Sequence, residues 1–263
     1  MNIVTGANGF IGKHFVKSMD NVLEIDLDNC EEFLERFTRW EDVDMIIHMG
    51  ALSYTTEKNV GMIYKYNIDY SIRLFEKAIK HGIPVKYEWS ASVYGNQDSV
   101  INPLNYYALS KITVDYWVKE NMDRFSHVQG FRFFNVYGSG ETHKGEQASL
   151  VSKFNWQSQT GRIHPFADSS KVWRDYVWVG DIVNVVLSNN AGSGIFDLGT
   201  GEPITIQMVA DLIAQKTKAV VEEVPFPPNL IGKYQFYTKA DMSWLDYKFK
   251  TVEEYINRQR EFE

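Results

Sequence analysis

Short apolar runs recur along the chain, separated by longer stretches in which apolar residues return at helical spacing. The runs predict strands at 2–5, 22–26, 44–48, 84–90 and 128–134, and the stretches between them predict helices near 10–19, 31–38, 59–81 and 105–122. Such alternation is the signature of an α/β fold built on a doubly wound parallel sheet. After about residue 139 it loosens, and a smaller α+β lobe is expected over about 139–175 and 202–263. The strand near 194–198 would return to the first domain, taken as 1–138 and about 176–201, so the two lobes interleave along the chain.

The first strand runs directly into Thr5-Gly6-Ala7-Asn8-Gly9-Phe10-Ile11-Gly12, after which the first helix begins. Gly6 and Gly9 permit a tight turn and close backbone approach to a pyrophosphate, and Gly12 lets the helix pack close to the sheet. The helix N-terminus then faces the phosphates. Asp26, at the end of Val22-Leu23-Glu24-Ile25, is placed to accept hydrogen bonds from a ribose diol. No Arg or Lys follows it within several residues to receive a 2′-phosphate, which favours NAD over NADP.

Proton chemistry is suggested by Asn105-Tyr106-Tyr107-Ala108-Leu109-Ser110-Lys111 together with Ser90-Ala91-Ser92-Val93-Tyr94-Gly95. Residues four apart share a helix face, so the Lys111 ammonium is expected near the Tyr107 phenol, favouring its ionised form. An unperturbed phenol ionises near pH ~10 and would be a poor base near neutrality without such a neighbour. The Ser90 hydroxyl would hold the reacting oxygen.

With 263 residues, 44% of them hydrophobic, the chain can bury a nucleotide-binding domain and a smaller lobe. A net charge of −7 argues against a nucleic-acid partner. Apolar runs stop short of membrane-spanning length and the first residues read as a strand, so no membrane partner and a cytoplasmic location are expected. The single cysteine, Cys30, offers neither a disulfide nor a metal cluster.

These motifs resemble the extended short-chain dehydrogenase/reductase family, which implies a Rossmann-like fold. From Phe131 to Leu245 the chain is similar, within that family, to the bacterial ADP-glycero-manno-heptose 6-epimerases. The likeness is carried by Gly130 to Gly138, His143-Lys144-Gly145, Arg174 to Asp181, Gly194 to Gly201, and Pro225 to Gln235. His48 to Ser53 and Thr55-Thr56-Glu57 extend it into the first half. The resemblance implies that Ser90, Tyr107 and Lys111 are catalytic and that Lys144 is a second acid/base residue. It implies that Phe10 and Ile11 cover the pyrophosphate turn, and that Met49, Gly50, Ala51, Leu52 and Ser53 line the nicotinamide side with Asn67 bonded nearby. Val136 would touch the cofactor through its backbone and Asn135 would bind substrate. Phe166, Ala167, Asp168, Ser169, Arg174 and Tyr234 fall where relatives hold the nucleotide diphosphate. A homo-oligomer is implied as well.

Three departures stand out. The segment between Gly12 and Asp44 is too short for the usual two strand–helix units, so one is missing. If the second strand survives, Asp26 meets the adenosine ribose; if the third does, Asp26 and Leu27 lie near the adenine. The loop between Gly95 and Asn102 is also short. Finally, Glu146 and Lys153 replace a serine and a histidine that contact substrate in the heptose epimerases.

Two acid/base candidates point to an NAD(P)-dependent nucleotide-sugar epimerase that oxidises its substrate transiently to a keto sugar and returns the hydride to the opposite face. Tightly bound NAD, with NADP as the variant, would then be regenerated each cycle, and the substrate would be a nucleotide-diphosphate sugar. The alternatives are a UDP-sugar 4-epimerase, a nucleotide-sugar reductase needing only Tyr107, and a catalytically idle dinucleotide-binding module. Ala91-Ser92 in place of an Asp-Glu pair argues against dehydration.

Overall fold

A computed structural model describes residues 1–53, 57–95, 100–231 and 234–258. The motif residues Thr55, Thr56, Gly232 and Lys233, and residues 96–99 of the shortened loop, lie outside the described residues.

The chain opens with β1 (Asn2–Thr5), α1 (Phe10–Ser18), β2 (Val22–Ile25), α2 (Cys30–Arg36) and β3 (Met45–His48). Next come α3 (Val60–Ile63) and α4 (Tyr70–His81), joined by a π-helical turn over Tyr64–Asp69. The helix expected over 59–81 is therefore continuous but widened in its middle, where Asn67 is buried. It stops at Gly82, whose left-handed backbone (φ 66°) closes the last turn. β4 (Val85–Ser90), α5 (Tyr106–Glu120) and β5 (Val128–Phe133) follow. Asn105 caps α5 by accepting a hydrogen bond from Ala108 N at 2.9 Å, an arrangement typically worth ~1 kcal/mol.

The rest of the chain supplies β6 (Asn135–Tyr137), α6 (Leu150–Ser158), β7 (Arg162–Ile163), β8 (Trp173–Arg174), β9 (Tyr176–Trp178) and α7 (Val179–Ser188). β10 (Gly194–Leu198), β11 (Ile204–Thr205), α8 (Ile206–Thr217), β12 (Val220–Val221) and α9 (Val252–Arg258) complete it.

Six strands form one sheet in the order β10-β5-β4-β3-β1-β2. β2, β1, β3 and β4 pair in parallel, Thr5 lying opposite both Ile25 and His48. Compared with the usual doubly wound order 3-2-1-4-5-6, the strand outside the second is absent among the described residues. The surviving strand is thus the one beside β1, and Asp26 follows its end. That removes the adenine alternative for the missing unit.

Of the described residues, Met1–Val93, Pro103–Arg132 and Val183–Phe196 make one compact unit and the others make a second. Of the residues read from the sequence as the first domain, 94–95, 100–102, 133–138, 176–182 and 197–201 fall in the second unit. For 135–137 and 176–178 the cause is pairing, since β6 bonds to β9 in a separate two-stranded sheet. The first unit's core joins Ile3, Ile46, Val85 and Tyr87 of the sheet to Phe33, Leu74, Phe75, Val114 and Val118 of the helices. Each such side chain contributes ~1.5–3 kcal/mol on burial. In the second unit Tyr137, Val151, Phe154, Tyr176, Val209 and Ile213 gather with Ile256. Among the described residues no helix is long and apolar enough to cross a membrane.

Candidate active site

The turn after β1 has the geometry of a phosphate cradle. Gly6 has φ 65°, and a Cβ there would come within 2.7 Å of the Met49 backbone. At Gly12 a Cβ would stand 2.0 Å from Gly6 O, so the helix can pass this close only without a side chain. No side chain caps α1 and no acidic residue occupies its first turn. Its leading N–H groups therefore suit an anion. Asp26 stands next to this turn, its Oδ2 accepting from Asn8 N at 2.7 Å and its Oδ1 from Leu27 N at 2.7 Å. A carboxylate accepts about four hydrogen bonds, so both oxygens retain capacity for a diol.

Under the turn runs a buried chain of hydrogen bonds. Ser71 Oγ donates to Asn67 O at 2.8 Å, so at 2.9 Å it accepts from His48 Nε2. The other ring nitrogen, Nδ1, accepts from the Thr5 hydroxyl at 2.6 Å, and Thr5 Oγ1 accepts from Gly50 N at 3.2 Å. Burial, and then the charge of Lys111, pushes His48 down to about 3, so this imidazole is neutral. Asn67 exchanges two hydrogen bonds with the Leu52 backbone and donates to Ser110 Oγ at 3.0 Å. Ser110 Oγ in turn donates to Tyr107 O at 2.7 Å. The loop after β3 and the helix bearing Tyr107 are thereby tied to one side chain, which sits on the π-helical turn. Widened turns of this kind recur at functional sites.

β4 and α5 bring Ser90, Tyr107 and Lys111 together, but not in the electrostatic state expected from the i,i+4 spacing. Lys111 Nζ lies 2.7 Å from Glu88 Oε2, in an ion pair whose side chains are 2% and 13% exposed. It lies 4.4 Å from the Trp89 ring centre and 5.5 Å from that of Tyr107. Burial, then the Glu88 carboxylate, holds the Tyr107 phenol well above its ordinary range, and a hydrogen bond with Ser90 draws it partly back. Removing one partner of a buried pair typically costs ~3–5 kcal/mol, so Glu88 is an integral part of this arrangement.

The second unit arranges the other candidates. Glu141, 1% exposed, receives Ser149 N, Ser149 Oγ and Ser152 Oγ, each at 2.7 Å, and Gly138 N at 3.2 Å. Lys144 Nζ stands 3.5 Å from the same carboxylate. Glu146 and Lys153 pair with each other at 3.2 Å. Asn135 N donates to Asp175 O at 2.9 Å, and its side-chain oxygen accepts from Thr238 at 3.2 Å. Asp175 is fully buried and binds Thr200 N, Thr200 Oγ1, Gly201 N and Ala240 N. Val136 lies within β6.

The residues expected at the diphosphate make these contacts within the second unit. Arg174 donates to Trp173 O and Gln235 O, with its guanidinium 4.8 Å from the Tyr234 ring centre. Ser169 is buried and donates to Gln207 Oε1 at 2.6 Å. Phe166 packs edge-on against Tyr234 and Phe226, Ala167 N bonds to Val224 O, and Asp168 pairs with Lys171.

Glu88 and Glu141 escaped the sequence reading. Glu88 lies in β4 two residues before Ser90, and Glu141 shortly precedes Lys144. A carboxylate so near each candidate proton carrier was the available signal.

The profile of the NAD dependent epimerase/dehydratase family matches residues 2–192. Among solved structures, the chain is similar to the UDP-N-acetylglucosamine 4-epimerase of Methanobrevibacter ruminantium M1 in complex with UDP-N-acetylmuramic acid: 21% identity, 97% of this chain and 96% of that one covered, TM-score 0.83. It is similar also to the Thermotoga maritima UDP-glucose 4-epimerase with UDP-glucose, at 23% identity, 97% and 96% coverage and TM-score 0.81. For Helicobacter pylori ADP-L-glycero-D-manno-heptose-6-epimerase the values are 19%, 97% and 93%, and 0.75. At these identities the shared property is the fold.

Proposed function

Because the chain belongs to the NAD-dependent epimerase/dehydratase family, we propose that it is a nucleotide-sugar epimerase acting on an ADP-glycero-manno-heptose at C6. The observation that carries this reading is the meeting of half-buried Ser90 with buried Tyr107 and Lys111 in the unit that also holds the glycine turn. The His143-Lys144-Gly145 stretch, with its lysine beside buried Glu141, supports an epimerase over a simple reductase.

A dinucleotide fits the residues present. The turn Gly6–Gly12 and the amides of Phe10 and Ile11 would hold the pyrophosphate, Asp26 the adenosine ribose, and Met49 to Ser53, fixed by Asn67, the nicotinamide end. Asp26 favours NAD, since a carboxylate repels a 2′-phosphate. When bound, the dinucleotide takes up a hydride from the sugar and gives it back.

Tyr107 exchanges the proton of the reacting hydroxyl as that carbon passes through the ketone, and Ser90 donates a hydrogen bond to the same oxygen. After the sugar has turned, Lys144 exchanges the proton in the second orientation. Asn135 binds the sugar. Association of copies through helices of the first unit belongs to the same reading.

The test is incubation with ADP-D-glycero-D-manno-heptose without added cofactor, following C6 by NMR, with UDP-glucose in parallel. Conversion to the L-glycero form is the expected result, and Tyr107→Phe is expected to lose ~10²–10⁴-fold in turnover while keeping its dinucleotide. Turnover of UDP-glucose alone would make the protein a 4-epimerase and Lys144 a binding residue. Retained dinucleotide with neither sugar turned over would favour the idle module.

A further inference from the structure

A dinucleotide is a chain of fixed order, and the sheet sets where each part of it can fall. Side by side stand β3, β1 and β2. A pyrophosphate at the head of α1 and a ribose at Asp26 would therefore occupy the ends of β1 and β2, and the base comes next, beyond β2. In the usual doubly wound order a third strand stands there. Here β2 is the outermost strand of the sheet among the described residues. We propose that the protein holds its dinucleotide by the pyrophosphate and the adenosine ribose and leaves the base unread, so that dinucleotides altered in the base bind as well as NAD.

The turn after β2 supports this. Its polar atoms are taken up within the first unit: Asp26 N donates to Asn29 Oδ1 at 2.8 Å, Asn29 N to Asp26 O at 3.2 Å, and Cys30 Sγ to Leu27 O at 3.5 Å. Glu31, at the start of α2, is paired with Arg73 at 2.9 Å and Lys65 at 3.7 Å. Leu27 is 48% exposed, and Asp28 and Asn29 beside it are exposed as well. A leucine side chain offers a base apolar surface but neither donor nor acceptor, so it favours any planar ring without telling one from another. A hydrogen bond to the solvated Asp28 carboxylate would replace one to water and discriminate little. A site built to bond a base edge rejects an analogue lacking the matching group by ~10⁴-fold or more, whereas a base left in water loses nothing when that group changes.

This inference rests on reading the glycine turn and Asp26 as a dinucleotide site, but its test needs no sugar. The stripped protein is titrated calorimetrically with NAD, with nicotinamide hypoxanthine dinucleotide, in which an oxo group replaces the 6-amino group, and with N6-alkylated NAD. All three are expected to bind within about threefold of one another, less than the roughly fivefold that one typical hydrogen bond supplies. Asp26→Asn, a change at the ribose, is expected to weaken all three by the same factor. The fluorescent base of bound 1,N6-etheno-NAD is expected to stay open to collisional quenching by acrylamide.

NAD binding about tenfold or more tighter than either analogue would overturn the proposal and leave the dinucleotide site standing. A bound etheno base shielded from acrylamide would overturn it in the same way. Failure of all three dinucleotides to bind would refute the dinucleotide reading itself, and the proposal with it. Failure of every nucleotide sugar to turn over would refute the epimerase reading and leave the binding ratios in force.

Discussion

Lys153 Nζ lies 3.2 Å from Glu146 Oε2, so the two positions at which the chain departs from the heptose epimerases are partners. Glu146 stands in the turn before α6 and is 97% exposed; Lys153, on α6, is 25% exposed. On the proposed reading, each change taken separately would alter the charge beside the substrate diphosphate. As a pair their charges offset each other.

An ion pair with so exposed a carboxylate contributes little to folding. Its consequence belongs to substrate choice. Glu146→Ser frees Lys153 and is expected to lower KM for the nucleotide sugar, whereas Lys153→Ala leaves Glu146 unpaired and is expected to raise it. The melting temperature should stay nearly constant in both. Steady-state kinetics across the two single variants and the double variant gives the coupling. Additive effects would mean that the two side chains act separately on the substrate.

His48 gives the fold a specific sensitivity to acid. Its folded value, depressed to about 3 from an ordinary 6.5, means that the unfolded chain binds a proton between these limits that the folded chain refuses. The stability contributed by neutral His48 is complete above the unfolded value and is lost as pH falls through this window, at up to ~1.4 kcal/mol per pH unit. Asp115 and Asp181, raised chiefly by burial, act with the opposite sign: their contribution is present below the unfolded carboxylate value and lost as pH rises. Urea unfolding of wild type and His48→Gln at matched pH isolates the histidine. The variant should be less stable at neutral pH and should lose less on acidification; parallel curves would show that His48 does not titrate in the unfolding equilibrium.

Local pattern revealed the elements but not their long-range partners. β1, β3 and α5 were legible because apolar runs and helical spacing are local signals, and the short Gly12–Asp44 segment announced a missing unit. Which unit it was became clear only when β2 paired with β1. The Tyr107–Lys111 spacing placed two side chains on one face, yet the carboxylate paired with Lys111 comes from β4, 23 residues away in sequence. Arg174 was placed by resemblance at the diphosphate; its bond to Gln235 O, 61 residues on, has no local signal in the sequence. The π-helical turn that buries Asn67 has no local signature in the sequence.

Asp26 joins cofactor choice to the shape of the turn. Its Oδ2 holds Asn8 N, and so the glycine loop, while Oδ1 holds the next backbone amide, Leu27 N. A ribose diol would add hydrogen bonds to a charged acceptor, each worth ~1.5–3 kcal/mol, or about 10–100-fold in affinity. Asp26→Asn retains one acceptor for Asn8 N and removes the charge that opposes a 2′-phosphate. NAD should then bind about 10–100-fold more weakly, with NADP losing less or gaining. Calorimetric titration of the stripped protein with each dinucleotide reads both numbers. A wild type that prefers NADP would place the ribose away from Asp26 and reduce that residue to the turn-holding role its two backbone contacts already show.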